Sequence, residues 1–195
     1  MRSVFAISLA ILVALPAAAS AQATGSGSTP VVAQEPETRL DQLFSELKRA
    51  RTEQAAQRIS SRIRQEWARS GSATIDLLMQ WAQKAIDEEK HDVALDFLDQ
   101  VVVLAPAYPE GWNRRATLHF AMEDHAKSMA DIGRTLDLEP RHFGALGGMA
   151  AILRDAGRKE AAMRAYERLL EVYPMMRNAQ TELGKLADEM AGQGI

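Results

Sequence analysis

The sequence predicts an all-α solenoid built from stacked helix-turn-helix repeats. Three observations support this prediction: a period of 34 residues, small residues that recur at two positions of that period, and a proline that closes each unit. Self-similarity at a fixed period of this length is typical of proteins whose repeats pack only against their neighbours. The central unit spans 109–142, and gap-free units of equal length precede it at 75–108 and follow it at 143–176.

Each unit is predicted to contain two antiparallel helices, with small residues where the helices approach most closely. Larger apolar residues then fill the space between the helices, and proline ends the unit because it cannot continue a helix. The recurring residues are Ala82, Ala116 and Ala150 in the first helix, Ala94, Ser128 and Ala162 in the second, then Leu98, Ile132 and Tyr166, and finally Pro106, Pro140 and Pro174.

The pattern resembles the tetratricopeptide repeat (TPR), whose signature runs W-x2-L-G-x2-Y, then A-x3-F, then P. Three consecutive copies carry it, although Ala85, His119 and Leu153 replace the tyrosine of the first helix. The resemblance implies a right-handed helix-turn-helix solenoid of about three TPR units. It also implies that the first helices line a concave surface where a protein or peptide binds.

Apolar residues at helical spacing set the expected helix bounds inside the repeats. The first helices are expected near 75–88, 109–122 and 143–156, and the second helices near 91–104, 125–138 and 159–172.

Atypical helices are predicted on both sides of the repeats. Residues 37–74 contain a helix that begins near Thr38 and a second helix from about Glu53 to Ser70, without a closing proline. We expect this pair to form an amino-terminal cap on the first repeat, since solenoids need ends that differ from their middle. Residues 177–195 are expected to form a carboxy-terminal capping helix, to about Met190, and a short tail.

The first 21 residues are predicted to be a secretory signal peptide. Arg2 precedes an apolar run from Val4 to Leu15, and Ala19-Ser20-Ala21 is typical of a cleavage site. A retained membrane anchor would need roughly 20 apolar residues, and the apolar run here is shorter than that. Residues 22–36 lack helical periodicity and are expected to form a flexible linker. The mature protein is therefore expected to be periplasmic or secreted, without stable membrane insertion.

Several function classes are excluded or disfavoured. The chain has no cysteine, which rules out disulfides and thiol chemistry, and its net charge of −3 gives no electrostatic basis for nucleic-acid binding. His119 and Glu123 share one helix face but lack a third metal ligand. Gly144, Gly147 and Gly148 fall inside a predicted helix rather than in a phosphate-binding loop. We therefore expect no catalytic residue, no metal site, no cofactor and no enzymatic activity.

The resemblance nominates eight residues of the first helices as a peptide-binding set. Amides, one aromatic ring and arginine suit an extended peptide, whose backbone needs hydrogen-bond partners; the alternative is that these side chains are merely solvated. Some members of the family clamp a carboxyl terminus with lysines, asparagines and an arginine, and the corresponding residues here do not match that clamp. The nominated set is Asp76, Gln80, Gln83, Asn113, Arg114, Thr117, Phe120 and Arg154.

Arg115 is unusual because it occupies a packing position that is Trp81 in the preceding repeat and Met149 in the following one. A charge that leaves water needs a partner, so Arg115 is expected to pair with an aspartate of a neighbouring second helix; binding of an external anion is the alternative. The candidate partners are Asp96, Asp99 and Asp131.

These observations favour an exported, non-enzymatic scaffold that binds a protein or peptide on its first helices. The sequence leaves two alternatives open: an accessory subunit that positions an envelope enzyme or assembly complex, and a solenoid that assembles with itself. Neither the partner nor the oligomeric state follows from the sequence.

Overall fold

The computed structural model describes residues 38–192, which form nine α-helices and contain no strand. The predicted signal peptide, the predicted linker and the last three residues of the tail lie outside the described residues. The helices are α1 (Arg39–Arg49), α2 (Glu53–Trp67), α3 (Ala73–Asp87), α4 (His91–Leu104), α5 (Pro109–Ala121), α6 (His125–Leu138), α7 (Phe143–Asp155), α8 (Lys159–Val172) and α9 (Arg177–Gly192).

The six helices of the repeats begin and end within two residues of the predicted bounds, which confirms the repeat register. Local chemistry explains several of these ends. Thr38 and Asp41 form a capping box at the start of α1, and Pro109 occupies the first turn of α5, where its missing N–H is not needed. The turn inside each repeat places one residue in the left-handed region at the same repeat position. These residues are Glu89, Glu123 and Gly157, with φ of 58°, 62° and 70°.

The recurring small residues lie where the two helices of each repeat touch, as predicted. Ala82, Ala94, Ala150 and Ala162 are fully buried. In the central repeat Ser128 donates a hydrogen bond to the carbonyl of Ala116 at 2.8 Å, so the hydroxyl is satisfied across the closest approach of α5 and α6. These contacts give the array its close helix spacing.

Arg115 pairs inside the solenoid, and the predicted ion pair is confirmed. Its Nε and Nη2 donate to the two carboxylate oxygens of Asp131 at 2.7 and 2.8 Å, and Nη1 donates to Asp99 at 2.8 Å. Asp131 belongs to the same repeat and Asp99 to the preceding one. The guanidinium therefore joins two repeats across their seam.

Helices α1 and α2 do not cover the first repeat, so the predicted amino-terminal cap is wrong. Trp67, at the end of α2, stacks on His142 with ring centroids 4.0 Å apart and packs against Phe143 at 4.7 Å. Phe143 is the first residue of α7 and of the third repeat, and His142 is the N-cap residue directly before it, at the end of the second repeat. The buried side chains of the helix pair accordingly join the apolar core of the second and third repeats rather than the separate core of the first.

Polar contacts hold the helix pair along the same side of the array. Asp41 accepts a hydrogen bond from Arg141 at 2.7 Å, and Glu53 accepts one from Arg177 at 3.0 Å. The exposed carboxylates add little stability by themselves. Burial of a large aromatic side chain on an existing aromatic surface contributes more to stability. Trp67 is therefore the main contact that holds the end of α2 against the third repeat.

Helix α9 covers the last repeat, in agreement with the predicted carboxy-terminal cap. Its Ala179 and Leu186 are buried against α8, and Glu182 accepts a hydrogen bond from Arg154 of α7 at 2.8 Å. Among residues 38–192, no helix combines the length and the apolar character needed to cross a membrane.

Candidate peptide-binding groove

Four of the nominated residues converge on one cavity, which we call the polar pocket. Asp76, Gln80 and Gln83 reach it from α3, and Arg114 reaches it from α5. The cavity has a volume of about 380 Å³ and is completed by Ala68, Met79, Tyr108 and Glu110.

Arg114 is already engaged by neighbouring side chains. Its Nη1 donates to the side-chain oxygen of Gln83, and its Nη2 donates to Glu110 at 3.1 Å. Both terminal nitrogens of this guanidinium are therefore engaged within the protein. Replacement of Arg114 by alanine would also disturb Glu110, so the residue is a poor probe of binding alone.

Glu110 connects the polar pocket to the base of α7. It accepts hydrogen bonds from Asn113 at 3.0 Å and from Nε2 of His142 at 3.2 Å. Because Nδ1 of His142 accepts the amide hydrogen of Ala145, Nε2 carries the ring hydrogen and donates it. Burial opposes ionisation of Glu110, yet the bond from His142 and the charge of Arg114 outweigh this effect and hold the pKa of Glu110 below its ordinary value.

Tyr108 lies beside the same carboxylates. Its burial, together with the charges of Glu110 and Asp76, raises the pKa of Tyr108 well above its ordinary value. The hydroxyl is therefore protonated at neutral pH. It is buried, and within residues 38–192 it has no hydrogen-bond partner.

The charged residues that line the polar pocket are Asp76, Glu110 and Arg114. Two carboxylates and one guanidinium leave the pocket with an excess of negative charge.

Three other nominated residues meet in a second cavity of about 200 Å³, which we call the apolar pocket. Asn113, Thr117 and Phe120 line it from α5. The remaining lining residues come from α5, α6 and α7, and they are Ala116, Ser128, Ile132, Gly144, Ala145 and Gly148.

Glycines keep the apolar pocket open. A Cβ atom on Gly148 would lie 3.3 Å from Cδ1 of Ile132, and one on Gly144 would lie 3.3 Å from Cε1 of His142. Both distances are tighter than ordinary van der Waals contact, so glycine allows α7 to approach its neighbours closely. Gly147 points elsewhere, towards Leu169.

Arg154 joins neither pocket. Its guanidinium contacts Glu182 of α9 and the adjacent Asp155, at 2.8 and 2.9 Å. The structure thus gathers seven of the eight nominated residues into two cavities and places the eighth at the carboxy-terminal cap.

Sequence reasoning missed Tyr108, Glu110 and His142 as part of the site. The 34-residue period itself contained a usable signal, because Glu110 stands at the repeat position of Asp76, and His142 at that of Tyr108. The residue before the first helix therefore contributes to the site in two successive repeats: Tyr108 lines the polar pocket, and His142 bonds to Glu110.

No group of three or more potential metal ligands occurs among residues 38–192. Nε2 of His119 lies 3.9 Å from Asp131, whose carboxylate is already hydrogen-bonded to Arg115. Glu123, which shares a helix face with His119 in the sequence prediction, lies in the turn after α5.

Comparison with known proteins gives a close relative. No established family profile matches the chain. A TPR repeat-containing protein of Rhizobium etli is 55% identical over 157 residues, which cover 80% of this chain and 77% of the relative.

Solved structures of TPR domains have the same fold. The first TPR domain of Spaghetti (RPAP3), bound to the HSP90 peptide SRMEEVD, is 25% identical and covers 62% of this chain and 95% of its own, with a TM-score of 0.58. The TPR domain of Sgt2 from Aspergillus fumigatus is 21% identical and covers 63% of this chain and 84% of its own, with a TM-score of 0.57. With its repeat register, its helix packing and its relative at 55% identity, the chain belongs to the TPR repeat-containing proteins.

Proposed function

We propose that the chain is an exported, non-enzymatic scaffold that binds an extended segment of a partner protein along α5. The observation that supports this most directly is the pair of adjacent cavities on the first helices. The polar and apolar pockets share α5, and Asn113 lies between them, with its side chain lining one pocket and its amide bonded to Glu110 of the other. An extended segment can fill both at once.

The apolar pocket suits one apolar side chain of the partner. Its walls combine the ring of Phe120 and the side chain of Ile132 with the exposed backbone of the glycines. Concave sites of this kind bind a ligand mainly through apolar contacts, while a few polar groups fix the orientation of the ligand. Thr117 and Asn113 are the polar groups at its rim.

The polar pocket suits hydrogen-bond donors and a positive charge. Asp76 and Glu110 outnumber Arg114 among the charged groups that line it. The RPAP3 domain is described in complex with an HSP90 peptide that ends in acidic residues. Here the single guanidinium is already neutralised by Glu110, so we propose that an acidic tail is disfavoured and a lysine or arginine beside an apolar residue is preferred.

Substitution of Phe120 by alanine is expected to weaken binding of a display-selected peptide by about tenfold, because the apolar pocket loses its largest wall. Fluorescence anisotropy measures the change with the selected peptide and with a second peptide in which lysine or arginine is replaced by glutamate. Met122→Ala is the matched control, since Met122 is exposed just after α5 and lines neither pocket.

The peptide experiment separates the function from the charge preference. Equal binding by Phe120→Ala and by the wild-type chain would remove the apolar pocket from the site. Equal affinity for the lysine and glutamate peptides would leave the pocket in place but contradict the preference for a basic segment.

Export is the other part of the proposal, and the apolar run with its small-residue triplet supports it. Intact-mass measurement of the protein recovered from the cell envelope or medium is expected to show a species that begins at Gln22. Replacement of Ala21 by lysine should block this processing, because the cleavage site requires small residues. A mature species that retains Val4 to Leu15 would contradict the proposed export with cleavage.

A further inference from the structure

Within residues 38–192, the first repeat ends the array with a largely uncovered apolar surface, which we call the open face. Its members share one side of α3 and α4, at positions spaced by whole helical turns. Four of them are substantially exposed, with Leu77 at 42%, Trp81 at 46%, Val93 at 44% and Leu104 at 61%, and Phe97 lies against the ring of Trp81 at 5.6 Å.

Equivalent positions in the next repeat are covered. Arg115 and Asp131 stand one period after Trp81 and Phe97, and they form the ion pair across the seam. Asp131 is only 4% exposed, and Arg115 also reaches Asp99 of the preceding second helix. In the second repeat, the side that contains Arg115 and Asp131 is therefore covered by a helix of the preceding repeat.

By chain order, α2 is the helix that would cover the open face. Instead Trp67 holds it at the junction of the second and third repeats, where the indole stacks on His142 and packs against Phe143. Within residues 38–192, the apolar core that includes α3 and α4 contains no side chain of α1 or α2. Exposed apolar patches of this kind, on one flat side of a protein, mark interaction surfaces.

We propose that the open face pairs with the same face of a second copy of this chain, in a closed two-fold dimer. The opposite end of the array cannot serve as the partner surface, because α9 covers it with an exposed polar side that includes Thr181, Lys185 and Asp188. Head-to-tail stacking of copies is thereby disfavoured, and among the surfaces of residues 38–192 an identical face offers the best apolar complementarity. Contact between identical patches produces a two-fold pair and not a growing filament.

Charges around the open face are compatible with self-association. Lys84 and Lys90 both lie near Glu88, at 4.0 and 2.7 Å, and all three border the cavity between Trp81 and Phe97. Because the border contains both signs of charge, a two-fold rotation can bring a lysine of one copy to Glu88 of the other. A border with a single sign of charge would instead repel its own copy.

The size of the open face predicts a weak, reversible dimer. Helix α3 has 15 residues and is about 22 Å long at the usual rise per residue. Two helices side by side are roughly 20 Å wide, so each copy buries on the order of 400 Å² and the pair buries about 800 Å². This is smaller than the roughly 1,200–2,000 Å² of stable complexes, so the dimer is transient and its population depends on concentration.

The test is sedimentation velocity on the full chain as purified, from about 1 µM to about 300 µM, the range in which an interface of this size associates. Wild-type protein is expected to shift from monomer to dimer as concentration rises. Trp81→Asp and Leu104→Asp should each raise the dimer dissociation constant at least tenfold. Val103→Asp is the matched control, because Val103 is 75% exposed on α4 but lies outside the open face.

Circular dichroism confirms that each variant is folded before it is compared. Dimerisation of wild type and Val103→Asp, with loss in the two variants of the open face, supports the proposal. A wild-type chain that remains monomeric throughout the range overturns it, as do dimers that persist in both Trp81→Asp and Leu104→Asp. Species that keep growing beyond a dimer would overturn the closed two-fold arrangement.

Discussion

Arg115→Ala is expected to lower the free energy of unfolding by about 3 kcal/mol, because it leaves a buried carboxylate without its charged partner. The side chain of Asp131 is 6% exposed and that of Arg115 is 18% exposed, and two hydrogen bonds join them. Nε2 of His119 lies 3.9 Å from the Asp131 carboxylate, which is too far to replace the lost hydrogen bonds. Urea denaturation followed by circular dichroism measures the loss.

Two control variants separate the buried pair from its exposed neighbour. Asp99→Ala removes a carboxylate that is 60% exposed, so it is expected to lower the free energy of unfolding by less than about 1 kcal/mol. The double variant Arg115→Met, Asp131→Leu replaces both charges with apolar groups and should recover most of the lost stability. If Arg115→Ala is no more harmful than Asp99→Ala, the ion pair does not stabilise the seam.

Trp67→Ala is expected to lower the free energy of unfolding by about 3–5 kcal/mol, the usual effect of deleting a buried aromatic side chain. Trp67 is 7% exposed and contacts the rings of Phe44, His142 and Phe143. Its removal should also release α1 and α2 from the third repeat. Hydrogen exchange is expected to show faster exchange in these two helices, while α4 keeps its protection.

The same substitution at Trp81 is the matched control for the effect on stability. Trp81 is 46% exposed, so Trp81→Ala in dilute protein should lower the free energy of unfolding by about 1 kcal/mol or less. Equal losses for the two tryptophans would contradict the assignment of Trp67 as the anchor of the helix pair. Faster exchange confined to α3 and α4 would contradict it as well.

Much of the groove could be predicted once the resemblance to the TPR had placed the binding surface on the first helices. Gln80, Gln83 and Thr117 fall on the expected side of the first helices because helix geometry alone decides which side chains share a face. The engagement of Arg114 could be predicted only in part. Glu110 precedes it by one turn of the same helix, whereas Gln83 meets it only once α3 and α5 are packed together.

The separation into two pockets also required the packed structure. Gly144 and Gly148 are recognisable in the sequence as departures from the repeat, but their role depends on which atoms approach them. Ile132 and His142 are those neighbours, and both distances follow from the packing of α7 on the helices before it. A periodic pattern contains no information at that scale.

The repeat register, the helix bounds and the candidate aspartates for Arg115 follow from the sequence because each repeat contacts its nearest neighbours, and a 34-residue period encodes those contacts directly. The position of α1 and α2 does not follow from it. Their anchoring contacts join residues about a hundred positions apart, such as Asp41 with Arg141 and Ser60 with Tyr173. Tertiary packing places this pair on the third repeat, and for that reason Trp81 is left exposed at the opposite end of the array.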